Sequence, residues 1–495
     1  MSARNKTKQV LSWVLMMLML CASWASGEEA PSEKGSSPLS GEEIETMVQD
    51  AKDAYLSDPE VAEAFSSEIR VTQEELPDSY GGMDTYEVHT LTYEGQQMRF
   101  LMEMIGEPDD TGRYPLYMTL HGGGEGLPEE NDSQWTDMFN YYRESVDSGI
   151  YVACRGITDT WDLHFQEASY RMYDRLIAHM IYEEYADPNR VYLLGFSAGG
   201  DGVYQIAPRM ADRFAAVNMS SGHPNGVSLM NLANLPISLQ VGIRDFYSET
   251  ALRSVRAAEF EKVLNSYRDT FGFGYEHRVW IHVPEGHNFN DYSDSQSQVL
   301  AAPEKFAEQN WLEPLTEIFR ETTGMDDVGT LSYYPMTMNE QFDQRMTEYV
   351  SGRLDVTKTN TNAVRFVSQY TRNPAPAQLV WDLSTRAPSR EVKSFYWLRA
   401  EPSVNQGVIY ASFDRESNTY TIIPDDAVNG NFEILISPAL ADFTRPIGFQ
   451  TPRGNCVRTF ELSGELMAQC MRETGDPEQV YAAKISYDEL GEEGV

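Results

Sequence analysis

Positive charge is scarce in this chain: 38 Lys and Arg stand against 76 Asp and Glu, a formal net charge of −38. Such acidity repels a phosphate backbone at every approach, so nucleic acid is not an expected partner. Cysteine is scarcer still, with four in 495 residues, and no His, Cys, Asp or Glu pattern has the spacing of a zinc or calcium site. A phosphate-cradling glycine loop, a dinucleotide fingerprint and a fixed-period repeat are also missing, so neither metal nor cofactor is expected. The one long apolar run, Val10 to Leu20, falls short of the ~20 residues that span a bilayer. Basic Arg4, Lys6 and Lys8 precede it, and small residues from Ala22 to Gly27 follow, which is the pattern of a secretory signal peptide over residues 1–25. Leu20 stands where a lipid-modified Cys21 would want a small residue, which argues against a lipid anchor. The mature chain is expected to be secreted or periplasmic, without an integral membrane span.

What is present must fold: 41% of residues are hydrophobic and 12% aromatic. Residues 26–85 read as a flexible lead and a helical preface, with Ile44, Met47, Val48, Ala51 and Tyr55 at helical spacing. Over residues 86–322, apolar runs at Leu116–Leu120, Tyr151–Cys154, Val191–Leu194, Ala215–Met219, Ile237–Val241 and Val279–Val283 alternate with amphipathic stretches such as 168–184 and 249–266. That rhythm predicts an α/β fold, a mostly parallel sheet with helices on both faces. Residues 323–495 read as a linker and a C-terminal antiparallel β domain, sandwich-like, with strands expected at 364–370, 378–383, 395–399, 408–413, 420–423 and 432–436. Cys456 and Cys470 are expected to close a disulfide, which an exported protein permits.

The chemistry is carried by Gly195-Phe196-Ser197-Ala198-Gly199-Gly200, which follows one apolar run and leads into a helical stretch. Glycines two residues before and after the serine leave room for a sharp strand-to-helix turn that presents a hydroxyl nucleophile. A serine needs a base to take its proton and a third group to orient that base. Asp245 and His287 each follow a strand run downstream, in the chain order serine, acid, histidine, with Glu249 as an alternative acid. His121-Gly122-Gly123-Gly124 follows the strand run ending at Leu120 and offers bare amides; Gly122, Gly123 and Ala198 are the candidate oxyanion donors. His121 is expected to brace this loop.

Taken together, these four motifs, ending with Glu285-Gly286-His287, resemble the α/β-hydrolase superfamily, in particular its secreted esterase branch of polyhydroxybutyrate depolymerase-like and feruloyl esterase-like proteins. The resemblance covers about residues 86–322. It implies a serine hydrolase that cleaves carboxylic esters through an acyl-enzyme, on small-molecule or polymeric substrates, polysaccharide-linked esters and polyesters among them. Gly200 also fits prolyl oligopeptidase-like peptidases, so a peptidase is the alternative, and a non-catalytic binding protein on a hydrolase fold is a second. Trp135, in the segment after the glycine loop, and Trp161 and His164, in the segment after Cys154, lie in stretches expected to border the crevice and are the candidate substrate contacts.

Overall fold

The computed structural model describes residues 40–246, 252–334, 339–387 and 389–490. Its framework is one sheet of eleven strands: β1 (Ile69–Pro77), β2 (Met83–Tyr93), β3 (Gln96–Ile105), β4 (Tyr114–Leu120), β5 (Gly149–Cys154), β6 (Ala186–Phe196), β7 (Ala216–Ser220), β8 (Ile237–Gly242), β9 (His277–His282), β10 (Gln296–Leu300) and β11 (Val356–Asn360). The spatial order is 1-2-3-5-4-6-7-8-9-10-11. β5, β4, β6, β7, β8 and β9 run parallel, flanked by antiparallel pairs at both ends. Parallel strands are buried on both faces, and every residue of β5, β7 and β8 is buried.

Each parallel step needs a crossover, and the longer ones are helical. The helices in chain order are α1 (Gly41–Leu56), α2 (Pro59–Ser66), α3 (Pro128–Tyr141), α4 (Glu167–Glu183), α5 (Ala198–Ile206), α6 (Arg253–Phe271), α7 (Leu312–Thr323), α8 (Val328–Tyr333), α9 (Glu340–Ser351), α10 (Ala363–Val367) and α11 (Gly464–Thr474). Alternation along the strands divides the apolar residues between two cores. Leu116, Met118, Val152 and Leu193 pack with Tyr173, Leu176 and Ile177 of α4, whereas Tyr117, Tyr151, Tyr192 and Leu194 pack with Met138 of α3 and Phe366 of α10. Helices therefore cover both faces, and the crossover order with its central parallel strands is the α/β-hydrolase arrangement. Among the described residues no helix is long and apolar enough to cross a membrane.

The C-terminal strands form two smaller sheets. One holds β12 (Gln378–Asp382), β15 (Val408–Asp414), β16 (Thr419–Pro424), β18 (Ile447–Thr451) and β19 (Gly454–Arg458); the other holds β13 (Ser394–Phe395), β14 (Leu398–Arg399), β17 (Glu433–Ile436) and β20 (Ala483–Ser486). All pairs are antiparallel except β16 with β18. Trp381 stacks on Phe395 at 5.6 Å and Trp397 meets Tyr420 edge-on at 5.2 Å, so the two sheets share one core.

Three expectations are corrected here. The run Val364 to Tyr370 is not a strand: Asn362 Oδ1 accepts the Arg365 N–H and starts α10, whose Ala363, Val364, Phe366 and Val367 are buried against the sheet. The strand expected at 395–399 breaks at Tyr396, which has φ 52° and separates β13 from β14. No disulfide joins Cys456 to Cys470. Cys470 lies within α11, which buries it in the core, while Cys456 lies half-buried on β19 opposite Phe449.

The two parts of the chain are joined by buried ions. Arg390 Nε lies 2.6 Å from Asp174 and its Nη1 3.0 Å from Asp212, Arg372 lies 2.7 Å from Asp476, and Arg213 reaches both Asp174 and Asp476. Burial alone would raise the Asp476 carboxyl, but Arg372 and Arg213 hold it below the usual range.

Candidate active site

β6 sits between β4 and β7, so a residue at its carboxyl end emerges in the middle of the sheet. Ser197 is that residue, and its φ of 57° with ψ of −119° marks a sharp turn from strand into α5. The turn has no room for side chains. A Cβ would lie 2.2 Å from Gly199 O if added at Gly195, 2.0 Å from Leu120 O at Gly199 and 2.4 Å from Ser220 O at Gly200. The Ser197 N–H donates to Ser220 O at 2.9 Å, which ties the elbow to β7.

Asp245 and His287 lie in the loops after β8 and β9, on the same edge of the sheet. His287 Nε2 stands 2.9 Å from Ser197 Oγ, and His287 Nδ1 stands 3.0 Å from Asp245 Oδ2. The three positions picked out from the sequence therefore meet in one hydrogen-bonded line. The other Asp245 oxygen accepts from Ser332 Oγ at 2.6 Å and Arg253 Nη1 at 3.3 Å. Burial alone would raise this carboxyl, but His287, Arg253 and Ser332 together keep it below the usual carboxylate range, so it is ionised at neutral pH. Glu249 lies outside the described residues.

The glycine loop after β4 is tied down atom by atom. Gly156 N–H donates to His121 Nε2 at 3.0 Å, which leaves Nδ1 to donate to Gly122 O at 2.6 Å. His164 Nε2 donates to His121 O at 2.9 Å. Asn131 Oδ1 accepts the Gly124 N–H at 2.9 Å and its Nδ2 donates to Gly124 O at 2.9 Å. Burial drives both imidazoles toward neutrality, His121 well below the usual range and His164 down to about 3, so the bracing persists across ordinary pH. Carbonyls 121, 122 and 124 are all held by these partners. Gly122 lies against the nucleophile, a Cβ there standing 3.3 Å from Ser197 Cβ, and Ala198 begins α5. Gly122 and Ala198 therefore flank Ser197, with Gly123 next in the loop, and the helix N-terminus at Ala198 adds partial positive charge there. Asn131→Ala is expected to loosen this loop and to speed amide hydrogen exchange at Gly124 about tenfold; native-state hydrogen exchange checks it.

The candidate substrate contacts divide. Trp161 is 53% exposed and stands at the lip of the glycine loop, its Cα 3.6 Å from where a Gly124 Cβ would be. Trp135 and His164 do not face the crevice. Trp135 is fully buried, its Nε1–H donating to Ala153 O at 2.8 Å and its ring covered by the Arg99 guanidinium. His164 is equally buried and props the glycine loop. The ring of Tyr333, from α8, lies 4.7 Å from the His287 ring and is 46% exposed. Tyr333 and Ser332 were not singled out from the sequence: they lie past the run of alternating strands and helices and form no motif.

No family model matches the sequence, and no curated protein matches it. Among solved structures the chain is similar to a thermostable esterase, at 16% identity over 60% of this chain and 70% of that one, with a TM-score of 0.34. It is also similar to acetyl xylan esterase 1 from Thermoanaerobacterium sp. JW/SL YS485, at 13% identity over 52% and 91% of the two chains and a TM-score of 0.29. Est1E from Butyrivibrio proteoclasticus matches at 10% identity over 40% and 90%, with a TM-score of 0.27.

Proposed function

We propose that the protein is an exported serine hydrolase that cleaves carboxylic esters. The observation that carries this reading is the line Ser197 Oγ, His287 Nε2 and Nδ1, Asp245 Oδ2, with contacts of 2.9 and 3.0 Å. In the first half-reaction Ser197 Oγ attacks the ester carbonyl carbon and its proton passes to His287 Nε2. The oxygen that becomes negative is held by the amides at 122, 123 and 198. Collapse breaks the bond to the alkoxide, which leaves with the proton from Nε2. Water then loses a proton to the same nitrogen and attacks the acyl-enzyme; collapse releases the acid, and Ser197 Oγ leaves with the proton returned from Nε2. Asp245 keeps the imidazole in the tautomer with Nδ1 protonated throughout.

We take carboxylic esters as the substrates, with a peptide amide as the alternative. Trp161 beside the glycine loop and Tyr333 beside His287 offer half-exposed aromatic rings, which suit an aromatic acyl group or a sugar ring. The acidity of the chain disfavours anionic polymers as substrates. The test is a panel of p-nitrophenyl acyl esters, feruloyl and acetylated sugars and aminoacyl amides, with labelling by a fluorophosphonate. Ester turnover with label on Ser197 is the expected result; turnover confined to amides would replace this reading with that of a peptidase.

A further inference from the structure

The segment from Asp327 to Tyr334 supplies no reacting atom, yet it touches both the acid and the base. Asp327 caps α8 by accepting the Thr330 N–H at 3.0 Å. At the other end of that helix Ser332, only 1% exposed, meets the relay twice. Its hydroxyl donates to Asp245 Oδ1 at 2.6 Å, and its carbonyl accepts the His287 N–H at 2.8 Å. Gly286 makes this approach possible, since a Cβ there would lie 2.2 Å from Ser332 O. Arg244, one residue before the acid, latches the segment: its guanidinium donates to Leu331 O, to Tyr334 O at 2.5 Å and, in the base loop, to Pro284 O at 3.0 Å.

We propose that Ser332 is a positioning residue that joins the acid to the base, its hydroxyl fixing the Asp245 carboxylate and its carbonyl anchoring the His287 main chain. A carboxylate held by one oxygen can rotate; a second donor on Oδ1 keeps Oδ2 in line with Nδ1. The hydroxyl also offsets part of the cost of burying the charge, a task it shares with Arg253. Without it the carboxylate pulls harder on the Nδ1 proton and its geometry loosens, so both the turnover and its pH dependence change.

This inference rests on the hydrolase reading, and the experiment separates the two. Wild-type protein that neither hydrolyses p-nitrophenyl acetate nor takes a fluorophosphonate label on Ser197 would end both. With wild-type turnover established, Ser332→Ala and the volume-matched Ser332→Cys are each expected to lower kcat about fivefold to twentyfold with KM within about twofold. The acid limb of the kcat/KM profile is expected to move up by about half a pH unit, and Ser332→Thr, which keeps the hydroxyl, should restore kcat and profile. Wild-type kcat and pH profile in the Ala and Cys variants, even with a lowered Tm, would assign Ser332 to structure alone and overturn the proposal. Should the Ala variant fail to fold, the Cys variant carries the comparison.

Discussion

Ser197→Ala is expected to lower kcat on esters by at least about 10⁴-fold while leaving KM within a small factor, because the relay then lacks the atom it activates. Held amides at 122, 123 and 198 and the substrate contacts would still support a small residual rate. His287→Ala should cost about as much, and the double variant no more than either single one, since the two act as a unit. Ser197→Gly sharpens the test. The nucleophile sits at φ 57°, a conformation that costs a non-glycine residue about 1–3 kcal/mol. The glycine variant should therefore be as inactive as the alanine variant but melt at a higher temperature than wild type. Differential scanning calorimetry and ester kinetics on the same preparations check both halves; ester hydrolysis that persists in Ser197→Ala would sink the mechanism.

Arg390→Met is expected to cost about 3–5 kcal/mol of stability, the largest loss from a single change away from the site. Arg390 is buried and meets both Asp174 and Asp212, so methionine of similar length takes the guanidinium from the buried Asp212 carboxylate and leaves Asp174 to Arg213. Replacing the whole set with apolar side chains would cost far less than removing one member, because the penalty comes from the charges left behind. Arg390→Met combined with Asp212→Asn should accordingly recover part of the loss. Urea titration at 25 °C gives the difference, and a loss under about 1 kcal/mol would mean that water reaches the cluster.

The centre of the sheet was legible because its strands are buried on both faces and read as unbroken apolar runs, and the elbow because a strained turn leaves glycines at fixed offsets. Asp245 and His287 were found from their places after strands, since topology brings strand ends together. Elsewhere pattern and packing part company. Val364 to Tyr370 has the composition of a strand, but Asn362 supplies a cap and the sheet supplies a face to cover, which decides for a helix. Trp135 and His164 neighbour the crevice in sequence, yet an indole gains more from complete burial and an imidazole from holding a carbonyl. Cys456 and Cys470 are close along the chain, but one lies on β19 and the other on the buried face of α11. Ser332 left no trace in the sequence, since a lone serine acquires meaning only from the acid 87 positions earlier that it touches.

The glycines of the elbow also divide the site into what a mutational library can change and what it cannot. At 195, 199 and 200 even a methyl group would overlap main-chain atoms of the elbow itself, of β4 or of β7, so these positions are closed to drift and to design alike. The lip is open: Trp161 and Tyr333 are each about half exposed and accept replacement without disturbing that floor. Substrate preference can therefore be bred at the rim by substitutions that never touch the residues on which turnover depends.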